Sequence, residues 1–371
     1  TFKNAITRQL IFRSETASIS NFIIDDCTFI GNGGGYGIHL YPESTYNVSD
    51  ITISNCTFDT LDHHGIYVFM ATVDGSGILH TLTVENCTFD TINNSGAQSL
   101  GICFGYANLA NALAAGRFPY GITIQNNTFS YTNSSAIRIY CTDTATNLIA
   151  NNTISYTGYG HNYPVNAVQL HACKGLTVEY NDISYAETSG PGDGCGIILD
   201  WANTDPTYIT EDCIVRYNRC HHNTDTTGTA TPSGINMYRG KNNEVYYNIC
   251  DNNYRGMNQS FDAANSSTGN VYYNNTITNS LEDGVEIYTG GPTSTWKNNI
   301  FANNVGYGFA DYGAVDADVT YSCLYNNTAG NYTGLTLGTG CIETDPFFDI
   351  NYSLRATSPC NGSASDWFSG Y

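Results

Sequence analysis

The sequence predicts an all-β fold in which short strands wind into a single solenoid. Two short phrases recur along almost the whole chain and alternate with one another. The first is written "IDDCTFIG" at 24–31, "ISNCTFDT" at 53–60 and "IQNNTFSYTN" at 124–133, and the second "GIHLY" at 37–41 and "GIYVF" at 65–69. Such repetition is typical of array architectures, and an irregular period favours a β-solenoid, because loops of any length can leave the coils.

One position of the first phrase repeats only two residue types. Its members are Cys27, Cys56, Cys87, Asn127, Asn152, Asn181, Asn218, Asn248, Asn274 and Asn299, spaced 25 to 40 residues apart. Stacked Asn side chains can hydrogen-bond to one another and to the turn backbone. Buried cysteine behaves as a small apolar residue. We therefore predict an asparagine ladder that is apolar at its N-terminal end.

The second phrase alternates apolar and variable residues, as a strand with one buried face does. Its second and fourth residues, such as Ile38 and Leu40, are predicted to point inward, and its third and fifth residues to point to solvent. Ten copies occur, so we expect about ten coils and, at ~4.8 Å per coil, a rod roughly 50 Å long.

With these repeats and this ladder the chain resembles the right-handed parallel β-helix proteins, which include pectate lyases, polygalacturonases, alginate lyases and epimerases, and phage tailspikes. The tail "TDPFFDINYSLRATSPCNGSA" at 344–364 is similar to the closing segment of many secreted β-helix proteins. The resemblance implies a single-stranded right-handed parallel β-helix over 1–340, with 341–371 packed on the last coil. The active-site signatures of polygalacturonases and mannuronan epimerases are absent, so the fold does not fix the function.

Charge narrows the choice of partners. The chain has 13 Lys and Arg against 33 Asp and Glu, a net charge of −20, which argues against nucleic acid and against an anionic membrane surface. No apolar run approaches the ~20 residues that span a membrane. The acidic loops 189–196 and 203–212 would permit Ca²⁺ without any EF-hand pattern, and no other cofactor is expected. Because the chain begins at Thr1 without a signal peptide, we expect a processed or trimmed form.

The cysteines favour an oxidising, extracellular setting, since 13 is many for a cytosolic protein and none forms a C-x-x-C pair. Disulfides are predicted between positions in neighbouring coils or flanking the tail: Cys220–Cys250, Cys141–Cys173 and Cys341–Cys360. The alternative is a stack of reduced thiols. Sequons at Asn55, Asn86, Asn126, Asn265 and Asn331 are candidate glycosylation sites in a secretory route.

Candidate functional residues lie on the outward face of the second phrase, because a flat stack of strands makes a long groove suited to a polymer. The candidate catalytic residues are Arg138, Tyr140, His171, Asp200 and Tyr238. Aromatic and polar neighbours on the same face are predicted to bind substrate, by stacking on sugar rings and hydrogen-bonding to hydroxyls: Tyr41, Phe69, Trp201, Asn236, Arg239, Glu286 and Tyr288.

This set favours β-elimination from a uronate. A carboxylate beside His171 would orient the imidazole and raise its pKa, Tyr140 or Tyr238 could transfer a second proton, and Arg138 could stabilise developing negative charge. A hydrolase needs two carboxylates flanking the bond, and Glu286 is expected roughly 14 Å from Asp200. Hydrolysis would therefore require a loop carboxylate such as Asp193 or Asp262.

A non-enzymatic alternative is an extracellular filament or coat subunit. Bare coil edges invite end-to-end pairing, and the sequence shows no capping helix before the first strands. Residues 10–30 and the C-terminal "DWFSGY" would then meet a partner chain. A glycan-binding protein and a self-assembling one thus both remain open.

Overall fold

The computed structural model describes residues 2–3, 8–31, 35–43, 45–70, 77–93, 98–106, 109–111, 116, 118–143, 146–158, 165–188, 193–201, 208–225, 232–260, 267–288, 294–313, 317–349 and 351–361. Three long parallel sheets, called A, B and C here, run along the coil axis, and each coil contributes one strand to each sheet. This is the right-handed parallel β-helix that the repeats predict.

Sheet A holds the strands of the first phrase: β1 (Phe2–Lys3), β4 (Thr28–Ile30), β7 (Thr57–Asp59), β10 (Thr88–Asp90), β13 (Thr128–Thr132), β16 (Thr153–Thr157), β19 (Asp182–Thr188), β23 (Arg219–His221), β28 (Ile249–Asp251), β31 (Thr276–Thr278), β34 (Ile300–Ala302) and β37 (Cys323–Tyr325), with β24 (Thr224–Asp225) beside β19.

Sheet B holds the strands of the second phrase: β2 (Arg8–Ser14), β5 (Tyr36–Pro42), β8 (Ile66–Met70), β11 (Ile102–Tyr106), β14 (Ile137–Tyr140), β17 (Val168–His171), β20 (Ile197–Asp200), β25 (Ser233–Met237), β29 (Arg255–Gln259), β32 (Val285–Ile287), β35 (Tyr307–Asp311) and β38 (Gly330–Thr333). The twelve strands exceed the predicted ten, because β2 and β38 lack the phrase.

Sheet C completes each coil: β3 (Ile19–Asp25), β6 (Val48–Ser54), β9 (Leu79–Glu85), β12 (Tyr120–Gln125), β15 (Asn147–Ala150), β18 (Leu176–Glu179), β22 (Ile214–Arg216), β27 (Glu244–Tyr246), β30 (Val271–Tyr273), β33 (Thr295–Lys297) and β36 (Asp318–Thr320). A short pair, β21 (Thr210–Glu211) and β26 (Gly240–Lys241), lies beside the main sheets.

Aromatic stacking fills the N-terminal half of the core. Phe29, Phe58, Phe89 and Phe129 are fully buried register partners whose rings stack at 4.9, 4.6 and 4.6 Å. Gly65 explains why the second phrase opens with glycine, since a Cβ there would lie 2.7 Å from the Phe89 ring. The two phrases are therefore coupled through the core.

The asparagine ladder forms as predicted, with one position corrected. Asn127 donates to Asn152 over 3.0 Å and Asn152 to Asn181 over 2.9 Å. The residue before each ladder position takes a positive φ, 57° at Asn126, which Asn tolerates better than most residues. In "YNN" the positive φ belongs to Asn274, so the ladder continues through Asn275, which donates to Asn299 over 3.0 Å.

The last coil is covered by the chain's own C-terminal residues. Gly338 and Ile342 donate backbone hydrogen bonds to the carbonyls of Val319 and Ser322. Apolar side chains of the tail pack on the ends of sheet A, among them Ile342, Phe348 and Leu354. These contacts occupy part of the edge that a bare solenoid would expose.

Candidate active site on the outer face of sheet B

The outer face of sheet B carries a continuous column that includes three predicted site residues, Arg138, Asn236 and Glu286. Strand pairing places Arg138 beside Gln169, then Ile198, Asn236, Asn258 and Glu286, one per coil. A second column, two residues further along the strands, places Tyr140 beside His171 and His171 beside Asp200.

The prediction that this face points to solvent is wrong at most of these positions. His171 is 2% exposed and Asp200 8%, and others on the same face are equally buried: His39, Gln169, Asn236, Asn258 and Glu286. Period-2 alternation identifies the side of the sheet on which a residue lies, but not whether that side is open. Two recesses lie on the described part of this face, one over β8, β11 and β14 and one over β29, β32 and β35.

One recess, the arginine cleft, lies over β8, β11 and β14. It has a volume of about 390 Å³, and Tyr67, Cys103, Gly105, Arg138 and Tyr140 are among its lining residues. Gly105 keeps it open, because a Cβ at that position would lie 2.9 Å from the Tyr67 hydroxyl. The cleft thus combines three tyrosine side chains, of Tyr67, Tyr106 and Tyr140, with one guanidinium group.

Arg138 has neutral partners. Its Nε donates to Gln169 Oε1 at 2.8 Å, and its Nη1 donates to Gln98 Oε1 at 2.7 Å. No carboxylate of the described ranges lies within 4.0 Å of this guanidinium. Arg138 opposes the burial that raises the pKa of Tyr140, and it adds to the burial that lowers the pKa of His64 to about 3. The positive charge is thus left for an incoming anion.

His171 is held as a neutral imidazole. Its Nδ1 lies 3.0 Å from the Trp201 carbonyl oxygen, which can only accept, so Nδ1 carries the proton. Nε2 then bears a lone pair, and it is buried without a hydrogen-bond partner among the described residues. Burial, assisted by Arg138, lowers the pKa of His171 to about 3. The expected rise in this pKa is wrong, because loss of hydration outweighs the neighbouring carboxyl group.

Asp200 has the opposite shift. Burial raises its pKa to about 7, although the Trp201 N–H donates to Oδ1 at 2.7 Å. The nearby charge of Asp193 raises this pKa further. The 3.5 Å approach of His171 Nδ1 to Asp200 Oδ2 is therefore not an ion pair at neutral pH, since the imidazole is uncharged.

Two further groups of predicted residues sit beside this centre. The Tyr140 ring stacks on His171 at 4.3 Å, and the Arg239 guanidinium lies 3.9 Å from the Trp201 ring centre. Tyr238 directly follows β25, and its N–H donates to the Leu199 carbonyl, which continues the register of β20 and β25 towards Asp200.

The N-terminal aromatic residues lie farther along the same face. Tyr41 and Phe69 are 5.6 Å apart between ring centres, and the Arg13 guanidinium lies 5.1 Å from the Tyr41 ring centre. Neither Tyr41 nor Phe69 lines the arginine cleft. They extend the face of sheet B without contributing to the cleft itself.

A second recess, the glutamate pocket, contains residues that sequence analysis only half identified. It has a volume of about 430 Å³, and Arg255, Glu282, Asp283, Glu286 and Tyr288 are among its lining residues. Glu286 and Tyr288 were predicted from the repeat. The others lie just outside the phrase, in "NNYRG" and "LEDGVEIY", where the local concentration of charge was the available signal.

The predicted disulfides are not formed in this structure, where all thirteen cysteines are free thiols, as in the alternative of reduced thiols. Cys220 and Cys250 are register partners and both point into the core, so their side chains run parallel. Cys141 lies beside Ala172, since its N–H donates to the His171 carbonyl, one residue out of step with Cys173. Cys360 hydrogen-bonds with Cys323 and packs on it, instead of on Cys341.

The remaining predictions are placed as follows. Asn55, Asn86 and Asn126 are exposed at turns with positive φ, whereas Asn331 is half-buried and donates to Glu343. Asn265, Asp262 and the segment "DWFSGY" lie outside the described residues. The described ranges contain no cluster of three or more His, Cys, Asp or Glu side chains that could hold a metal ion, and calcium binding remains a prediction. No helix in the described ranges is long and apolar enough to cross a membrane.

Comparison with known proteins identifies the fold. A family model of the right handed beta helix region matches residues 4–106. The crystal structure of the periplasmic alginate epimerase AlgG is similar, with a TM-score of 0.51 and 12% identity over 82% of this chain and 75% of that chain. A double mutant of AlgG gives a TM-score of 0.55 and 14% identity over 88% and 75%.

A more distant structural match is the GH136 lacto-N-biosidase from Eubacterium ramulus, with a TM-score of 0.43 and 13% identity over 91% of this chain and half of that one. No curated protein matches the chain in sequence. At these identities the similarity establishes the fold, and the arrangement of residues has to carry any conclusion about function.

Proposed function

We propose that this chain is an extracellular carbohydrate-binding β-helix protein and that the arginine cleft binds an acidic sugar. The observation that carries the proposal is Arg138, a half-buried guanidinium that no described carboxylate neutralises. Guanidinium and carboxylate form strong, charge-assisted hydrogen bonds. The similarity to an alginate epimerase, which is named for a polyuronate, favours the same class of ligand.

Aromatic walls support a sugar as the ligand. Tyr67 and Tyr140 both line the cleft, and the Tyr67 ring approaches the backbone at Gly105, where a Cβ would lie 2.9 Å from its hydroxyl. Tyrosine combines a large apolar face with a polar hydroxyl group, so it can pack against the C–H face of a pyranose and bond to its hydroxyls. A uronate would then place its carboxylate on Arg138 and its ring against the tyrosines.

The net charge of −20 opposes a polyanion at long range. At physiological ionic strength exposed charges are screened beyond about 8 Å, so the local field of Arg138 governs the bound sugar. We therefore expect short oligouronates to bind better than long polymers, because a long chain also meets the acidic surface beyond the cleft.

The binding test compares one substitution with a matched control. Arg138→Gln should weaken binding of oligogalacturonate or oligomannuronate about tenfold or more, since it removes a charge paired with the ligand. Arg219→Gln, which changes an exposed arginine on sheet A, should leave affinity unchanged. Calorimetry measures both, with melting temperature as the check on folding. Equal affinity for neutral and acidic oligosaccharides, or no effect of Arg138→Gln, would contradict the proposal.

Polysaccharide lyase activity at this cleft is a second candidate function, favoured by the Tyr140–His171–Asp200 arrangement. A base must take the proton α to the uronate carboxylate, Arg138 would stabilise the resulting enolate, and an acid must protonate the departing oxygen. Tyr140 lines the cleft as a protonated phenol, and His171 Nε2 keeps an unshared lone pair. A carboxylate bound at Arg138 would raise the pKa of His171 by offsetting that positive charge.

Analysis of the reaction products distinguishes a lyase, a hydrolase and a protein that only binds. A lyase gives unsaturated ends with ultraviolet absorbance, whereas a hydrolase, using Asp200 and the neighbouring Asp193, gives reducing ends without them. Tyr140→Phe keeps the ring stacked on His171 and removes only the hydroxyl, so lyase turnover should fall about a hundredfold or more while binding persists. Binding without either product would leave the carbohydrate-binding proposal and remove the enzymatic one.

The filament alternative receives less support. It needs open coil edges, and residues 338–342 already pair with part of the last coil. Light scattering of concentrated protein would still detect end-to-end association.

A further inference from the structure

The glutamate pocket lies on the same face as the arginine cleft, about five coils away, or roughly 24 Å at ~4.8 Å per coil. Its lining brings three carboxyl groups, Glu282, Asp283 and Glu286, against a single guanidinium, Arg255. The two recesses therefore differ in the sign of their charge. The proposed acidic-sugar site gives this second recess no role.

Most polar atoms of the pocket are already bonded within the protein. Arg255 lies 2.8 Å from Glu286 Oε2 and 3.0 Å from Glu282 Oε2, and the Tyr254 hydroxyl donates to Glu282 Oε1 at 2.7 Å. The Tyr307 N–H and the Tyr312 hydroxyl donate to the two oxygens of Asp283. Glu282 and Asp283 thus have both oxygens occupied.

Glu286 is the exception. It is 2% exposed, and its Oε1 is buried without a hydrogen-bond partner in the described part of the chain. The neighbouring position in the column, Asn258, also has a buried side-chain oxygen, Oδ1, without a partner. A buried acceptor left unbonded is costly, so these atoms indicate a missing donor.

The charge and walls of the pocket specify that donor. With three carboxyl groups against one guanidinium, the pocket favours a cation over a neutral or anionic ligand. Tyr288 and Tyr312 flank it, 43% and 49% exposed, with ring centres 6.3 Å apart. Such rings attract a cation over their faces and also pack against a sugar ring. A volume of about 430 Å³ exceeds what an ammonium group on one aliphatic stem fills.

We propose that the glutamate pocket binds an amino sugar with a free, protonated amine, the ammonium donating to Glu286 Oε1 and the ring lying against Tyr288 and Tyr312. This site is independent of the arginine cleft. It also gives the acidic surface of the protein a role, because a net charge of −20 attracts a polycationic glycan before contact.

The protonation of Glu286 supports this assignment and provides a measurement. Burial raises its pKa to about 7, the charges of Asp283 and Glu282 add to the rise, and Arg255 and the Tyr288 side chain oppose it. An ammonium beside Oε1 favours the ionised carboxylate, so its arrival should expel the proton. At pH 6 Glu286 is mostly protonated. The sugar amine is already largely protonated at this pH, so it takes up only a fraction of a proton, and binding should release protons on balance.

The probe is a fully deacetylated glucosamine oligomer, with the N-acetylated oligomer of the same length and free lysine as comparisons. Calorimetry at pH 6 in two buffers of different ionisation enthalpy gives affinity and proton release together. We expect binding of the deacetylated oligomer, proton release, and at least tenfold weaker binding of both comparisons. Equal binding of lysine would overturn the assignment to a sugar, and equal binding of the N-acetylated oligomer the assignment to an amine.

Two variants localise the effect. Glu286→Gln should lower the affinity at least tenfold and abolish proton release, whereas Glu244→Gln, a carboxylate on sheet C that accepts from Tyr273, should change neither. Because Glu286→Gln disturbs the partner of buried Arg255, Tyr288→Ser provides a second test at an exposed position, with at least a fivefold loss expected. Arg138→Gln should leave this binding intact. Unchanged affinity in both Glu286→Gln and Tyr288→Ser would refute the site.

Discussion

The arginine cleft and the glutamate pocket are built on the same column of sheet B, yet they treat their arginines in opposite ways. Arg138 bonds to two neutral glutamines, whereas Arg255 is enclosed by Glu282 and Glu286. One column position therefore supplies a cation in the first recess and, five coils later, a carboxylate in the second. The backbone repeat fixes where a side chain stands, and the partners around it decide what charge it offers.

The largest difference should appear in stability when each arginine is replaced by methionine. Arg255→Met leaves Glu286 buried without its counter-charge and should reduce the free energy of unfolding by about 3 kcal/mol or more. Arg138→Met removes bonds to neutral acceptors and should cost about 1 kcal/mol. Urea denaturation measures both. Equal losses would show that the two guanidinium groups are paired alike.

The next effect concerns the pH dependence of stability at Asp200. Its pKa is about 7 in the folded chain and near 4 when unfolded, so between these values the folded state binds the extra proton and stability falls as pH rises. Asp200→Asn removes that fall. The stability of the variant relative to the parent should therefore rise by about 1.4 kcal/mol per pH unit from pH 4 to 7, then level off.

His171 acts in the opposite direction, because its pKa is lowered to about 3 and its contribution to stability is lost as pH falls from 6.5 towards 3. Denaturation curves of Asp200→Asn and its parent across this range isolate the carboxyl group. A constant difference between them would mean that Asp200 is ionised in the fold.

A substitution that fills the arginine cleft should separate the two recesses functionally. Gly105→Leu places a side chain against Tyr67 in the floor of the cleft. We expect oligouronate affinity to fall about tenfold, since the ring site is occupied, while glucosamine-oligomer binding is unchanged. Calorimetry with both ligands tests this. An equal loss of affinity for both ligands would indicate a general folding defect, which a melting curve would reveal.

The smallest expected effect is chemical. Cys323 and Cys360 are in hydrogen-bond contact beside the described tail, so mild oxidation should link these two thiols. Peptide mapping under non-reducing conditions would show the Cys323–Cys360 peptide. A Cys220–Cys250 link in its place would contradict the parallel orientation of those side chains. Because the tail already packs on β34 and β37, the melting temperature should rise only slightly.

The sequence by itself determined the architecture. Alternating apolar residues and stacked Asn side chains are local patterns that each coil repeats, so they predicted the strands of sheets A and B, the inward faces and most of the ladder. The strands of sheet C and the positive-φ turns were found only in the structure. The ladder prediction failed only at "YNN", where Asn274 and Asn275 satisfy the pattern equally. Only the positive φ of Asn274 distinguishes the two residues. Neighbours such as Arg138 and Gln169, or His171 and Asp200, followed from the same register.

Only the tertiary structure decided burial, charge state and pairing. His171 was expected to be exposed, with its pKa raised by a neighbouring carboxylate. Enclosure of the sheet face instead lowers the pKa of His171 and raises that of Asp200. Gln98, Asp283 and Glu282 lie outside the repeated phrase, and their contacts with Arg138 and around Arg255 cannot be derived from register. Desolvation and pairing depend on everything that surrounds a group in space, whereas a repeat specifies only its neighbours along and across the strands.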